Sequence, residues 1–369
     1  MVNESTDNRL AIEVHGLTKK YGELVAVDGI SFEVMKGEFF GFLGPNGAGK
    51  TTTIRMLTGI INNNGGKARV MGYTAGSIEA KQLSGVVPEQ SNVYMDLTAW
   101  RNLALTAELY RIPSSEAKSR AENLLKQLGL YERKDSQAKE YSMGMRKRLL
   151  LAVALISDPQ IVFLDEPTSG LDVQSTRFIR GLLRDFRKGG KTFFLTTHNM
   201  NEAAEMCDRV AIINRGKLVA LDTPENLRIT AGKVSLIDIS FDKQVTIQAL
   251  KEISGVIRVE SSQSIDTAER MKAMAGTRPG KMGMAEGQGA PVMMRGREMG
   301  MSQPAQAEAG EKKPPSNRFR LHTENTGEVI TSLVDFSRAN SLRMNILNVN
   351  PPSLEDAFLM LTGEAKREK

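Results

Sequence analysis

Short apolar runs alternate with stretches of helical periodicity as far as about residue 230. Buried strands are predicted at four of these runs, residues 39–43, 161–164, 192–196 and 210–214. Helices are predicted at residues 52–58, 102–110, 117–128, 146–156, 176–187 and 201–206. This alternation predicts an α/β fold built on a mainly parallel sheet. Because residues 98–128 are helical without an intervening strand, they predict a helical subdomain, at about residues 90–157, inserted into the fold.

After residue 231 the buried runs give way to strict alternation of apolar and polar residues, as in the segment 234–241. Such alternation predicts a half-buried strand. The elements predicted after it repeat one order, strand, helix, strand, at residues 234–241, 247–253 and 256–259 and again at 318–323, 329–338 and 344–349. Two such units predict a small α+β domain of the split-βαβ type. A last helix opens at Ser353, with Asp356 in the position of a capping box. The predicted domains are residues 1–230 and 231–369.

Between the two units lies a segment, residues 262–316, that is rich in Met, Gly, Pro, Ala and Gln and has no aromatic residue. Such a composition buries too little apolar surface to offset the entropy of ordering, so the segment is predicted to be disordered. An alternative interpretation is a soft-metal or promiscuous binding tract, because methionine is a soft ligand. Its methionines come without His or Cys, which favours the disordered insertion.

Composition and charge exclude several classes of protein. The apolar fraction of 40% and charged fraction of 25% are those of a globular protein, and the net charge of +6 is dispersed, which argues against nucleic-acid binding. A single cysteine, Cys207, cannot form an intramolecular disulfide and fits a reducing cytosol. The longest apolar run, residues 149–156, is shorter than the roughly 20 residues of a membrane span. We therefore expect a cytoplasmic protein, peripheral on the inner face of the membrane.

The most specific motif is a P-loop, G-x-x-x-x-G-K-[ST], placed between a predicted strand and a predicted helix. Its glycines let backbone N–H groups converge on phosphate oxygens, and the helix adds its positive end. In this motif Lys50 contacts the terminal phosphates and Thr51 ligates Mg²⁺. The residues predicted to bind ATP here are Gly44, Pro45, Asn46, Gly47, Ala48, Gly49, Lys50, Thr51 and Thr52.

Two carboxylates, Asp165 and Glu166, follow the predicted strand 161–164 at its carboxyl end, where α/β sheets place their ligands. One carboxylate can hold Mg²⁺ while the next activates a water for in-line attack on the γ-phosphorus. A strand that ends in two acids is unremarkable alone. Together with an upstream P-loop, it predicts nucleotide hydrolysis with Asp165 at the metal and Glu166 as the base.

The chain resembles the ABC ATPase family, and the resemblance extends from about residue 10 to residue 230. The segment 141–145 (Tyr-Ser-Met-Gly-Met) stands where the family has its Leu-Ser-Gly-Gly-Gln signature. The resemblance implies that Ser142, Gly144 and Met145 face the ATP of a partner subunit in a head-to-tail homodimer or heterodimer. Methionines at 143 and 145 depart from the family's glycine and glutamine. Residues 352–362 also resemble the tail of ATPases that serve type-2 exporters.

Further site residues follow from the same resemblance. It implies that Asp172 lies in the D-loop, that His198 is the switch histidine sensing the γ-phosphate, and that Tyr21 stacks on adenine. The family's metal-contacting glutamine aligns with Glu89, and Gln90 follows one residue later. Because neighbours in an extended segment face opposite ways, only one of the two can reach the metal. We expect Glu89 to contact Mg²⁺ and Gln90 to face away.

The expected function is therefore that of an ATP-hydrolysing subunit, with ATP and Mg²⁺ as ligands, that powers a separately encoded membrane permease, in the export direction by resemblance. One rival is a soluble ATPase of the same family acting on DNA or ribosomes. Such chains carry a long coiled coil or two ATPase halves, and this one has a single P-loop and no heptad run. A module that binds ATP without turnover is the other rival, and Glu166 and His198 argue against it.

Overall fold

The computed structural model describes residues 9–90, 93–231, 235–261, 317–350 and 353–362. The described residues form two compact units. Of the described residues, unit 1 comprises 9–231 and 353–362, and unit 2 comprises 235–261 and 317–350. The segment 262–316, for which the sequence predicts disorder, lies outside the described residues.

The strands of unit 1 are β1 (Leu10–Tyr21), β2 (Leu24–Met35), β3 (Phe39–Leu43), β4 (Gly65–Val70), β5 (Tyr73–Thr74), β6 (Ser84–Val87), β7 (Ile161–Asp165), β8 (Thr192–Thr197), β9 (Arg209–Asn214) and β10 (Lys217–Asp222). Its helices are α1 (Lys50–Leu57), α2 (Ile78–Gln82), α3 (Ala99–Leu109), α4 (Ser114–Gln127), α5 (Met143–Leu155), α6 (Val173–Lys188), α7 (Met200–Met206), α8 (Pro224–Ala231) and the last helix of the chain, Leu354–Thr362. Each of the four predicted strands and six predicted helices of this region is present, with ends shifted by a few residues.

The central sheet has the strand order β10-β9-β3-β8-β7-β6, parallel except for β10. Strands β3, β7 and β8 are buried along their whole length. Successive side chains of a strand face opposite sides of the sheet. Phe39 accordingly packs into one core, with helices α3 to α6, and Phe40 into the other, with β1 and β2. Burial on both faces explains why these strands read as continuous apolar runs.

A second sheet, antiparallel and of order β2-β1-β4-β5, was not predicted from the sequence. Strands β1 and β2 pair along most of their length and turn at Gly22 and Glu23, where Gly22 has a φ of +57°. The pairing is interrupted by several register shifts. Each shift moves the following side chains to the other face, so the sequence shows no sustained alternation.

The helical subdomain is an insertion in the connection between two neighbouring parallel strands, as predicted. The chain leaves β6, forms α3, α4 and α5, and returns as β7, which pairs with β6. Thr98 caps α3 by accepting a hydrogen bond from the Arg101 N–H, and Ser142 caps α5 in the same way. The helices pack through leucines and alanines onto one face of the central sheet.

Unit 2 contains β11 (Ser235–Phe241), α9 (Ile247–Lys251), β12 (Val256–Ser261), β13 (Arg318–Thr323), α10 (Thr326–Ala339) and β14 (Met344–Asn350). Its antiparallel sheet has the order β12-β13-β11-β14, which is the split-βαβ arrangement predicted from the sequence. The predicted alternation in β11 sends Ile237, Ile239 and Phe241 into a core with Leu250 and Leu333 of the two helices.

The last helix, now α11 (Leu354–Thr362), packs within unit 1 and not with the C-terminal domain to which the sequence analysis assigned it. Its N-terminus is capped as predicted: the Ser353 N–H donates to Asp356 Oδ2 at 2.8 Å, and the Asp356 N–H donates to Ser353 Oγ at 3.1 Å. Leu354, Ala357 and Phe358 are buried in the core that contains α7 and α8. In sequence, unit 2 is therefore an excursion between α8 and α11.

Candidate active site

The P-loop connects the carboxyl end of β3 to the first turn of α1, as its motif predicts. Gly49 precedes the helix with a φ of +108°, in the left-handed region that favours glycine. A Cβ at this position would also lie 2.6 Å from the Ala26 carbonyl oxygen of β2. Glycine is required here for both reasons. The loop tip, Asn46 and Gly47, is exposed, and its backbone is accessible to a ligand.

The Lys50 side chain folds back over the loop from which it starts. Its ammonium group donates to the carbonyl oxygens of Gly44, at 2.8 Å, and Pro45, at 3.2 Å, and lies 3.4 Å from Glu166 Oε1. The residue is buried. A buried cation is therefore fixed at the mouth of the loop, in position to pair with phosphate oxygens that bind to the loop backbone.

Asp165 and Thr51 form the candidate metal site. The Thr51 hydroxyl donates to Asp165 Oδ1 at 3.3 Å, and the Thr196 hydroxyl donates to the same oxygen at 2.5 Å. Two oxygen donors suit Mg²⁺, which proteins commonly hold by one or two side chains together with substrate phosphates. No cluster of three or more His, Cys, Asp or Glu side chains that could hold a metal occurs in the described part of the chain.

Glu166 and His198 are brought together from the carboxyl ends of β7 and β8. Glu166 Oε2 lies 2.9 Å from His198 Nδ1. Glu166 is 6% exposed, whereas the His198 side chain is 53% exposed. The hydrogen bond to Glu166 raises the pKa of His198, although partial burial opposes the shift. The arrangement holds a carboxylate beside the P-loop lysine, with an imidazole that shields it from solvent on one side.

Glu166 Oε1 accepts no hydrogen bond within the described residues. The backbone of Glu166 has a φ of +49°, which a non-glycine residue adopts rarely, and its N–H donates to the Thr196 carbonyl oxygen at 3.0 Å. Backbone strain of this kind is concentrated at functional sites. The unused lone pairs of Oε1 are available to a water that attacks a phosphate on the loop.

The signature residues lie elsewhere, at the N-terminus of α5. Gly144 is buried against α6, where an added Cβ would lie 2.7 Å from Ser175 Oγ. Met145 packs against the core, and it is Met143 that is exposed, with 56% of its surface accessible. A methionine thus stands on the outer face of this helix end, beside Gly170 of the segment between β7 and α6.

Asp172 caps α6. Its Oδ1 accepts the Ser175 N–H and its Oδ2 accepts the Ser175 hydroxyl, each at 2.8 Å. These hydrogen bonds lower the pKa of Asp172. The carboxylate therefore shapes the entry into α6, next to the exposed Met143 and Gly170.

Glu89 and Gln90 follow β6, and both are exposed. The chain bends at these residues, so the alternation of an extended strand, from which we expected the two side chains to face opposite ways, does not apply. The Glu89 carbonyl oxygen accepts a 2.5 Å hydrogen bond from the ammonium group of Lys147, a buried residue of α5. Burial lowers the pKa of Lys147, and the charges of Glu89, Asp165 and Glu166 oppose that shift.

Tyr21 stands at the end of β1 in the turn to β2, half exposed, with the Lys19 ammonium group 5.2 Å from the centre of its ring. Strand β2 continues past the P-loop, where Ala26 contacts Gly49. An exposed aromatic ring at this edge fits the predicted adenine platform. Cys207, the single cysteine, is buried, and Trp100 in the first turn of α3 packs against the core. His15 is exposed on β1, beside Glu13.

Three polar residues of this region were missed by the sequence analysis: Thr196, Lys147 and Glu202. Thr196 has the pattern of an ordinary strand former, and its hydrogen bond to Asp165 depends on which strand pairs with β7. Lys147 lies in a basic run that suggests a solvated face, although it is buried. Glu202 lies in a short polar helix and is also buried. For each of these three residues, the sequence contains one indication of a role at the site, namely that the residue lies close to a motif residue.

A P-loop after β3, together with Asp165 and the buried Glu166 at the carboxyl end of β7 in the same parallel sheet, defines a nucleotide-hydrolysing enzyme of the P-loop class. A family model described as "ABC transporter" matches residues 27–169. The chain is 31% identical to the linearmycin resistance ATP-binding protein of Bacillus subtilis (strain 168) over 97% of this chain and 100% of that protein. It therefore belongs to the ABC transporter family, as an ATP-binding and ATP-hydrolysing subunit.

Two further comparisons agree. A fluoroquinolones export ATP-binding protein of Mycobacterium tuberculosis (strain ATCC 25618 / H37Rv) is 42% identical over 60% of this chain and 74% of that protein. A dimeric ATP-binding cassette, described as a post-hydrolysis state bound to ADP and Pi, matches 57% of this chain and 98% of its own, with a TM-score of 0.53 and 26% identity. None of the helices in the described part of the chain combines the length and hydrophobicity that a membrane span requires.

Proposed function

We propose that this chain hydrolyses ATP at two composite sites of a head-to-tail dimer and thereby powers a membrane exporter. The observation that carries the proposal is Glu166, a buried carboxylate 2.9 Å from His198 and 3.4 Å from Lys50. A general base beside a phosphate-binding lysine is the arrangement that hydrolysis of a phosphoanhydride requires.

The P-loop residues 44–52 bind the phosphates of ATP through backbone N–H groups, and the Lys50 ammonium group pairs with the terminal oxygens. Tyr21 provides a flat apolar surface for adenine. Glu166 orients a water and accepts its proton during in-line attack, while His198 holds the Glu166 carboxylate and contacts the γ-phosphate. Thr51 and Asp165 would hold Mg²⁺, and the ion would supply positive charge that neutralises the negative charge developing in the transition state.

The second half of each composite site comes from the partner subunit. Ser142, Gly144 and Met145 lie at a helix N-terminus, which is suited to anions, and the Ser142 side chain accepts the Met145 N–H there. Asp172 and Gly170 extend the same surface. Dimerisation around ATP then brings this helix end to the phosphates bound by the other P-loop, and hydrolysis releases it.

The direction of transport and the partner are inferred from the relatives. Their names refer to linearmycin resistance and fluoroquinolone export, and each is named as an ATP-binding protein. A separately encoded permease therefore carries the cargo, with this subunit bound peripherally on the cytoplasmic side. The cargo contacts belong to the permease.

Glu166→Gln tests the proposal. We expect steady-state ATP hydrolysis to fall by at least about 100-fold, because an amide cannot accept the proton of the attacking water. ATP binding is expected to persist, since Lys50, Thr51 and Asp165 are unchanged. ATP should then hold the variant as a stable dimer, which size-exclusion chromatography with and without ATP detects.

Asp158→Asn is the matched control, because Asp158 precedes the same strand at its opposite end and pairs with Lys191. It should hydrolyse ATP at nearly the parent rate. Near-normal turnover of Glu166→Gln would show that another group activates the water, and a variant that binds ATP as a monomer would argue against the composite site.

A further inference from the structure

Glu202 is a buried carboxylate in the first turn of α7 that none of the roles above uses. It is 1% exposed. Glutamate is almost never buried to this extent unless its charge is paired or hydrogen-bonded. The residues that satisfy it should therefore reveal what it does.

Both carboxylate oxygens of Glu202 accept hydrogen bonds from threonine hydroxyls. Thr168 Oγ1 donates to Oε1 at 2.7 Å, and Thr197 Oγ1 donates to Oε2 at 2.8 Å. The Arg180 guanidinium of α6 lies 3.5 Å from Oε1 and balances the charge. Glu202 therefore forms a bridge between Thr168, in the turn after β7, and Thr197, the last residue of β8, with Arg180 on its other side.

The two threonines flank the residues proposed to perform the hydrolysis. Thr168 follows Glu166 by two residues, after β7, and Thr197 immediately precedes His198, at the end of β8. The Thr197 end of this bridge is held by a further hydrogen bond, because Thr197 Oγ1 accepts the Asn199 N–H at 3.0 Å. The 2.9 Å contact between Glu166 and His198 thus spans the same two segments that Glu202 ties together.

We propose that Glu202 is a positioning residue for hydrolysis: it sets the Glu166–His198 geometry by fixing Thr168 and Thr197. It does not touch the nucleotide. The inference rests on the proposed roles of Glu166 and His198. A catalytic base that is displaced by about 1 Å can lose on the order of 100-fold in rate, whereas groups on the P-loop keep their place.

The test uses steady-state hydrolysis and ATP binding by the intact chain. Glu202→Ala is expected to lower kcat about 10-fold to 100-fold while the KM for ATP stays within about threefold, since the P-loop contacts are untouched. Slow hydrolysis should also let an ATP-bound dimer accumulate in size-exclusion chromatography. A merely structural defect would weaken ATP binding and dimerisation together with hydrolysis.

Two variants sharpen this result. Glu202→Gln keeps the shape and an acceptor for one hydroxyl, so it should recover most of the kcat lost in Glu202→Ala. Thr168→Val removes one end of the bridge with little change in volume and carries the test if Glu202→Ala fails to fold; its kcat should fall with KM unchanged. Glu205→Ala is the matched control, because Glu205 of the same helix pairs with Arg180 and Arg184 and contacts neither threonine.

Three results would overturn the proposal: parent-like kcat in both Glu202→Ala and Thr168→Val, an equal loss in Glu205→Ala, or a loss of ATP binding parallel to the loss of turnover in the folded variants. Failure of the proposed function is separately visible. In that case Glu166→Gln itself retains turnover, whatever the Glu202 variants do.

Discussion

At the scale of single residues, the active site depends on a buried carboxylate that lies against two basic side chains. Glu166 contacts His198 through Oε2 and faces Lys50 through Oε1. Burying an unpaired charge is costly, and two potential cations beside the carboxylate offset that cost. The contact also couples the protonation of His198 to Glu166, so the pKa of His198 can be measured to test it.

His198 is expected to titrate above its ordinary pKa of 6.5, because the hydrogen bond to Glu166 stabilises the imidazolium form. A raised folded-state pKa stabilises the protein below the unfolded value, and this contribution is lost as the pH rises through the folded value. Glu166→Gln removes the hydrogen-bonding charge, so the titration midpoint should fall. NMR of the imidazole protons measures it, with His198→Gln to assign the signal. An unchanged or higher midpoint in Glu166→Gln would contradict the assignment.

The same residues show how much of the active site could be predicted from the sequence. Lys50 and Thr51 could be placed by the P-loop motif, Asp165 and Glu166 because they end a strand that reads clearly as buried, and His198 by the family resemblance. Their supporting partners could not be placed. Thr196 and Glu202 act through hydrogen bonds between strands and helices that are distant in sequence, and hydropathy carries no information about such bonds.

At the scale of elements, helix α5 connects two motif regions that are separate in the sequence, the signature residues and the segment at Glu89. Its N-terminus carries the signature residues, and Lys147, near its start, holds the Glu89 carbonyl oxygen at 2.5 Å. The same ammonium group is within electrostatic reach of Glu89, Asp165 and Glu166. A buried lysine can therefore compensate the carboxylate that stands where the family has glutamine. This compensation favours Glu89 over Gln90 as the residue that senses the metal.

Glu89→Ala should therefore uncouple the subunit from its permease. In the parent, adding the membrane partner is expected to change the ATPase rate; in Glu89→Ala it should not, although basal hydrolysis by the isolated subunit persists. The measurement is the ratio of ATPase rates with and without the permease in reconstituted membranes.

Gln90→Ala is the matched control and should keep the parent ratio. If Gln90→Ala loses the permease response and Glu89→Ala keeps it, the sensing role belongs to Gln90.

Elements differed in how well their patterns predicted them. Four of the five parallel strands were identified because they read as continuous apolar runs, whereas β6 was missed, and the helices of the inserted subdomain were identified from their helical periodicity. Strands β1 and β2 were missed because register shifts break their alternation. The bend at Glu89 and Gln90 was missed because neither residue is a strong turn former, and the constraint comes from Lys147 on a distant helix.

At the scale of the whole molecule, the order of elements in the sequence does not match the units they build. The apolar stripe of α11 predicted a helix with one buried face, and that face exists. An apolar stripe does not specify whether its helix packs into the core of unit 1 or that of unit 2. Leu354, Ala357 and Phe358 fill the core beside α7, the helix that also carries Glu202. Helix α11 therefore stabilises α7, the helix that follows His198 in the sequence.

Truncation after residue 231 should thus destabilise unit 1. Burial of a leucine and a phenylalanine contributes about 3–6 kcal/mol, which for a unit of this size corresponds to a fall in melting temperature on the order of 10 °C. A second variant, with residues 232–352 replaced by a flexible Gly/Ser linker so that α11 is retained, should melt close to the parent, because unit 2 has its own core. Scanning calorimetry of the three proteins measures both effects. A truncation that melts like the parent would show that α11 adds nothing to unit 1, and a linker variant as unstable as the truncation would mean that unit 2 is needed to hold α11 in place.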